Sequence, residues 1–134
     1  MSAPRGSVRR HVWIAASADR VWTLVGDPSR LHEWFPGIES STVDGTTRVI
    51  TTRSGIPIPE EIVTNDPLQR RFQYRITAPI VREHLSTLDV IDLGDSSCLV
   101  VYGADAVPAT MALIVGGAAG NALQHLRTMM EGAR

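Results

Sequence analysis

Hydrophobic and polar residues alternate over residues 8–15, where Val8, Val12 and Ile14 share one parity and Arg10 interrupts it. A period of two predicts a strand with one buried face. Ser17 follows as a helix N-cap, with Asp19 in the first turn, where the helix dipole favours a carboxylate. Ala18, Val21, Trp22 and Val25 then recur at helical spacing. Asp27-Pro28 restarts the chain as a second short helix, since proline at the first helical position forfeits no hydrogen bond. Leu31, Trp34 and Phe35 share one face of it, and Pro36-Gly37 ends it.

A long stretch of strand-like sequence comes next. Residues 38–43 and 46–53 flank Asp44-Gly45, a hairpin signal. Residues 59–65, 69–77, 81–93 and 97–106 follow, separated by Asp66-Pro67, Ala78-Pro79 and Gly94-Asp95. Short connections between successive strands predict an antiparallel meander. From Pro108 the period turns helical again: Met111, Val115, Ala118 or Ala119, Ala122, Leu126 and Met129 or Met130 recur at three and four, to about Glu131. Gly116, Gly117 and Gly120 sit inside this helix, each costing about 1 kcal/mol relative to alanine. They imply close packing, a kink, or reserved space. The predicted fold is α+β, with helices segregated from a seven-stranded curved antiparallel sheet. The sheet wraps around the long C-terminal helix, and two short helices follow the first strand. A curved sheet gripping one helix leaves a cavity between them. One domain over 1–134, with an ordered core at about 8–131, is expected.

Composition removes several chemistries. All 13 basic residues are arginine. Without lysine there is no Schiff-base nucleophile and no phosphate-loop lysine. The formal net charge of −1 argues against a nucleic-acid surface, which needs concentrated positive charge. A single cysteine, Cys98, forms no intramolecular disulfide, and no zinc spacing is present. His11, His32 and His125 stand without a second ligand at metal spacing, so neither a metal nor a cofactor is expected. No serine lies in a Gly-x-Ser-x-Gly elbow. The polar start and the short apolar run at 111–115 suggest neither a signal peptide nor a membrane span, so a cytoplasmic protein is the expectation. Oligomeric state is not readable.

Three segments carry a family resemblance. Ile14-Ala15-Ala16-Ser17-Ala18-Asp19-Arg20-Val21-Trp22 is similar to an opening strand and helix with valine and tryptophan. Leu31-His32-Glu33-Trp34-Phe35-Pro36-Gly37 resembles a tryptophan-bearing short helix and turn. Arg71-Phe72-Gln73-Tyr74-Arg75-Ile76 resembles an alternating aromatic strand. Together, over nearly the whole chain, these resemble the START-like, polyketide cyclase/dehydrase (SRPBCC) superfamily, with the helix-grip fold of the birch pollen allergen. The resemblance implies a hydrophobic ligand cavity between sheet and helix without naming the ligand. The cone-shaped transport-factor-like fold normally begins with helices, whereas this chain begins with a strand.

Strand parity suggests which residues face inward. Pairing Ile50 with Ile62 would put Arg48, Thr52, Glu60 and Thr64 on one face. Phe72, Tyr74 and Ile76 share a parity, as do His84, Ser86, Leu88 and Val90, and Cys98, Val100, Tyr102 and Ala104. These sets mix apolar wall with sparse polar groups, as a small-molecule pocket requires. Glu60 and His84 are the candidate catalytic groups. Glu60 is either an interior carboxylate beside Arg48 or a solvated residue at a strand end. His84 is either a general acid or base, or a hydrogen-bonded wall residue. Tyr74 and Tyr102 either donate to a ligand carbonyl or are core. Leu31, Trp34 and Phe35 would cap one end of the cavity, and Met111, Val115 and Ala119 would face the sheet from the long helix. Arg9, Arg53, Arg70, Arg71, Arg75 and Arg82 fall outward or at turns, which leaves Arg10 and Arg48 as the inward arginines.

Three functions fit these features. A carrier or sensor of a lipid, polyketide or isoprenoid-like molecule needs the cavity alone. A polyketide cyclase or dehydratase needs an acid or base inside it. An interaction module would have its core closed.

Overall fold

The computed structural model describes residues 4–132. Strand β1 (Gly6–Ile14) leads into helix α1 (Ala18–Val25), capped by Ser17, whose side chain accepts from the Arg20 amide. A single 3-10 turn (Pro28–Arg30), capped by Asp27, runs into the four-residue helix α2 (Leu31–Trp34). Six strands follow: β2 (Ile38–Asp44), β3 (Thr47–Thr52), β4 (Pro57–Asp66), β5 (Arg71–Ile76), β6 (Glu83–Gly94) and β7 (Ser97–Val107). Helix α3 (Ala109–Gly132) closes the order. The seven strands form one antiparallel sheet, β1-β7-β6-β5-β4-β3-β2. The expected helix-grip architecture is the one observed.

The inward parities hold for β5, β6 and β7: Phe72, Tyr74, His84, Ser86, Leu88, Val90, Val100 and Tyr102 are all buried. The β3–β4 register differs from expectation. Ile50 pairs with Ile58, not Ile62, and Arg48 stands directly opposite Glu60. The reason is proline. Strand β4 starts at Pro57, earlier than a proline-averse reading allows. The Pro59 carbonyl accepts from the Thr77 amide on the β5 side, so the absent Pro59 N–H also points there, just past the last β4–β5 pair, Glu60 with Ile76. No bond to β3 is lost. Because the shift is an even number of residues, the faces survive it.

Two residues do not. A bulge at Val63 sets Ile62 opposite Tyr74 but Thr64 opposite Gln73. Thr64 is thereby turned to the outer face, where its Oγ1 donates to Gln73 Oε1 at 2.8 Å and Gln73 Nε2 donates to Thr87 Oγ1 at 3.0 Å. Thr52 is spent on the β3–β4 turn, accepting from the Ile56 amide and bonding Ser54.

The buried seam of α3 is also displaced from the expected stripe. It runs Ala112, Gly116, Ala119, Ala122, Leu123, Leu126 and Met130. Met111 and Val115 are only half-buried, at the side of the helix. Backbone proximity decides this. A Cβ built on Gly6 would lie 2.8 Å from Ala112 Cβ, and one on Gly116 would lie 3.0 Å from Val8 Cγ2. Helix and β1 approach so closely that only the smallest residues fit between them. Of the three readings of these glycines, close packing holds at Gly116. At Gly120 the helix also makes room for the methylenes of Arg10, which come within 3.4 Å of a built Cβ. Arg10 does lie on the inner parity, half-buried at the rim, with Nη1 donating to the Arg9 carbonyl. Trp22 is partly buried against the core, its ring lying over Gly26.

Candidate functional site

The middle of β3 and β4 carries a buried ion pair, Arg48 with Glu60. The Arg48 and Glu60 side chains are each 2% exposed, and Arg48 Nε donates to Glu60 Oε1 at 2.7 Å. Arg48 Nη1 donates to the Pro28 carbonyl at 3.3 Å, just ahead of α2. Arg48 Nη2 has no hydrogen-bond partner among the described residues. The guanidinium lies 4.9 Å from the Tyr74 ring centroid and 5.3 Å from that of Phe72, so cation–π attraction replaces part of its hydration. Burial pushes the Glu60 carboxyl above its ordinary range, and the adjacent Arg48 offsets this only in part. Of the two sequence readings of Glu60, the interior one holds.

A second polar group spans β5, β6 and β7. Tyr74 and Tyr102 share a hydrogen bond between their hydroxyls, and Ser86 stands opposite Tyr74 in register. Burial keeps both phenols protonated. His84 Nδ1 accepts from the Ile76 amide at 2.7 Å, which places the ring proton on Nε2, donating to Ser86 Oγ at 2.8 Å. Burial lowers the His84 pKa to about 4. The imidazole is neutral near pH 7, and its free lone pair is already committed to the backbone. His84 is therefore a hydrogen-bonded wall histidine in this geometry.

Helix α2 closes the side facing these groups. Leu31, Trp34 and Phe35 are buried. Trp34, Phe35 and Tyr102 form a three-ring cluster with centroids 5.8–6.4 Å apart. Trp34 is 1% exposed, and its Nε1 is a second buried donor with no partner among the described residues. Ile50 and Leu88 are buried, and Ile62 is partly buried, packed against the same core. Ala119 is in the α3 seam, whereas Met111 and Val115 lie outside the core cluster.

Outside α2, a cleft of about 190 Å³ is lined by His32, Glu33, Trp34, Phe35, Pro36, Arg53 and His125. Sequence reasoning missed this cleft, because His125 and Arg53 meet α2 only through the tertiary fold. It also missed the Pro28 carbonyl as a partner of Arg48, since a backbone acceptor leaves no mark on composition.

Comparison with known proteins then bears on what this interior is. Residues 5–131 match the sequence profile of the family described as polyketide cyclase / dehydrase and lipid transport. The chain belongs to that family. This polyketide cyclase/dehydrase-family protein is similar in structure to an uncharacterized protein from Bacillus thuringiensis, at 27% identity and a TM-score of 0.86, covering 93% of this chain and 98% of that one. It shares its fold with norcoclaurine synthase from Thalictrum flavum, solved with dopamine and hydroxybenzaldehyde, at 20% identity and a TM-score of 0.74 over 99% and 90% of the two chains. A START superfamily protein from Mycobacterium smegmatis shares it too, at 20% identity and a TM-score of 0.71 over 95% of each. No curated protein sequence matches. Among the described residues no helix of the family member is long and apolar enough to cross a membrane.

Proposed function

We propose that the protein binds a hydrophobic small molecule of lipid, polyketide or isoprenoid type in the interior between sheet, α2 and α3, as a carrier or sensor. The observation that carries this reading is the Arg48–Glu60 pair, set into a wall of Phe72, Tyr74 and their apolar neighbours. A core filled for stability alone gains little from a buried ion pair, because desolvation offsets the attraction. Sparse polar groups in an apolar wall are what a ligand site uses to orient its occupant. The family and its lipid-transport and cyclase members support the same reading, and the cleft at α2 provides its mouth. Native mass spectrometry of the purified protein tests it. The expected result is an apolar ligand bound one to one and released by organic solvent. A bare protein mass, together with no saturable binding of apolar probes, overturns it and favours an interaction module with a closed core.

One observation favours a second reading, a cyclase or dehydratase. Glu60 is an interior carboxylate whose proton affinity is raised by burial, the property of a general acid or base working near neutral pH. Turnover of a polyketide-like substrate that E60Q abolishes while leaving binding intact would establish the enzyme. Binding without turnover in the wild type leaves the carrier.

A further inference from the structure

On the solvent side of α2, a single cleft brings together His32 and Glu33 of α2, Arg53 just past the end of β3 and His125 of α3. The one acid among them is already engaged. Arg30 holds Glu33 through two bonds, Nε to Oε2 at 2.8 Å and Nη2 to Oε1 at 2.9 Å. The Arg53 amide donates to the Gly37 carbonyl at 3.0 Å, which fixes its backbone beside the exit of α2. The Arg53 guanidinium and the His125 ring are both exposed, and neither has a partner among the described residues. The cleft therefore presents positive charge that nothing in the chain offsets.

His32 adds a group of a different kind. Ser41, buried beneath it, donates its single hydroxyl proton to the Ser29 carbonyl at 2.9 Å. The 2.7 Å contact between Ser41 Oγ and His32 Nδ1 must then take its proton from the ring. In the neutral imidazole this leaves Nε2 bare, on the ring edge away from Ser41. One cleft thus offers a guanidinium that donates and an imidazole nitrogen that accepts.

That combination narrows the occupant. A carboxylate or a sulfate ester satisfies the guanidinium fork but carries no proton for Nε2 near neutral pH. A phosphate monoester does both, because its second pKa of about 6 leaves it a titrating proton in that range. A metal ion does not fit: among the described residues no three His, Cys, Asp or Glu side chains are grouped to hold one.

We propose that the α2 cleft is a phosphate-monoester site, in which Arg53 holds the phosphoryl oxygens, His32 Nε2 shares the monoester's remaining proton and His125 adds a donor from α3. The site goes beyond the hydrophobic-ligand reading and does not depend on it, since the cleft lies outside α2. The phosphoryl group comes either on a soluble ester or on a lipid headgroup.

The full chain, labelled with nitrogen-15, is titrated with methyl phosphate and methyl sulfate, which share a tetrahedral head and carry no apolar body for the interior. The His32 ring signals are assigned by their loss in H32N, whose amide still donates to Ser41 but lacks Nε2. In mildly alkaline buffer the free protein should show the His32 proton on Nδ1 and none on Nε2. Methyl phosphate should bind about tenfold tighter than methyl sulfate, the equivalent of one good hydrogen bond. H32N should bring the two esters to about equal affinity, and R53Q should weaken both about tenfold. A proton on Nε2 in the free protein overturns the site, as does equal binding of the two esters by the wild type. A phosphate preference that survives in H32N reflects charge alone and overturns the role of His32. Methyl phosphate that leaves the His32 and His125 signals unmoved overturns the location. Given binding as expected, phosphatidylcholine vesicles with and without phosphatidic acid identify the source. Binding confined to the phosphatidic acid vesicles and lost in R53Q supports the site as one for a lipid headgroup, and no vesicle binding supports it as one for a soluble ester.

Discussion

The inner face of the sheet has two halves built on opposite principles. Where β1 and β7 meet α3, the contact is made by glycine and alanine: Gly6 against Ala112, Val8 against Gly116, Ala119 and Ala122 in the buried seam. Where β3, β4 and β5 curve away toward α2, it is made by aromatics, an ion pair and hydroxyls. The first half stabilises by closeness, since dispersion accumulates over many short contacts. The second holds groups that a purely apolar core would avoid, two of them unpaired. The difference is one of construction: the helix side is held by closeness, and the far side holds the buried polar groups.

The sharpest way to break this contrast is to remove one member of the ion pair. R48A leaves Glu60 buried without its counter-ion, and the expected loss is about 3–5 kcal/mol of unfolding free energy in urea denaturation. The double variant R48M/E60L should recover most of it, because both charges leave together. If R48A costs no more than an average surface substitution, the polar half is not the strained half.

On the close-packed side, G6A is the matching test. Its new methyl would meet Ala112 Cβ at 2.8 Å and the Ala109 backbone at 2.9 Å, and a backbone atom cannot swing aside. A loss of about 1–3 kcal/mol is expected, the usual cost of overpacking. A neutral G6A would show that helix and strand can part without penalty, and that the dry half is looser than its geometry.

The two halves were unequally legible in the sequence. Element order, sheet parity and the inward Arg48 followed from period and turn residues alone, because those patterns are local. The α3 seam did not. Met111 and Val115 are the larger apolar residues and draw the eye, yet Ala112 and Gly116 are buried, since backbone approach rewards smallness rather than hydrophobicity. The β3–β4 register was hidden by Pro57 and Pro59, whose tolerance depends on where β5 ends. Thr64 was turned outward by a bulge that no residue type announces. In the site, Glu60 and Tyr74 were visible as parity, whereas the unpaired donors of Arg48 and Trp34 emerge only when every acceptor has been placed.

Acid should separate the polar groups from one another. The His84 pKa is lowered to about 4 from an ordinary 6.5, so the unfolded chain takes up its proton first as pH falls. The stability His84 contributes is fully present above about pH 6.5 and declines as pH drops toward 4. Glu60 acts in the opposite sense. Its pKa is raised, so its contribution is present below the ordinary value of 4.5 and is lost as pH rises through its folded pKa. Denaturation midpoints measured across this range should show a flatter acid limb in H84N, whose amide oxygen can still accept from the Ile76 amide. They should show a steeper limb in E60Q. Parallel profiles in all three proteins would mean that neither group titrates differently on folding.

The smallest effect concerns the tyrosine pair. Y102F removes one of two mutually bonded hydroxyls, so the loss should be about 1 kcal/mol. Y74F breaks the same bond from the β5 side, and its cost is to be set against that of Y102F. The ordering matters more than either value. If Y102F is the more damaging, the hydroxyl of Tyr102 is the hub of the polar half, and the network is anchored on β7, beside the close-packed half. If Y74F is, the hub stands on β5, next to Arg48, and the network is anchored in the polar half itself.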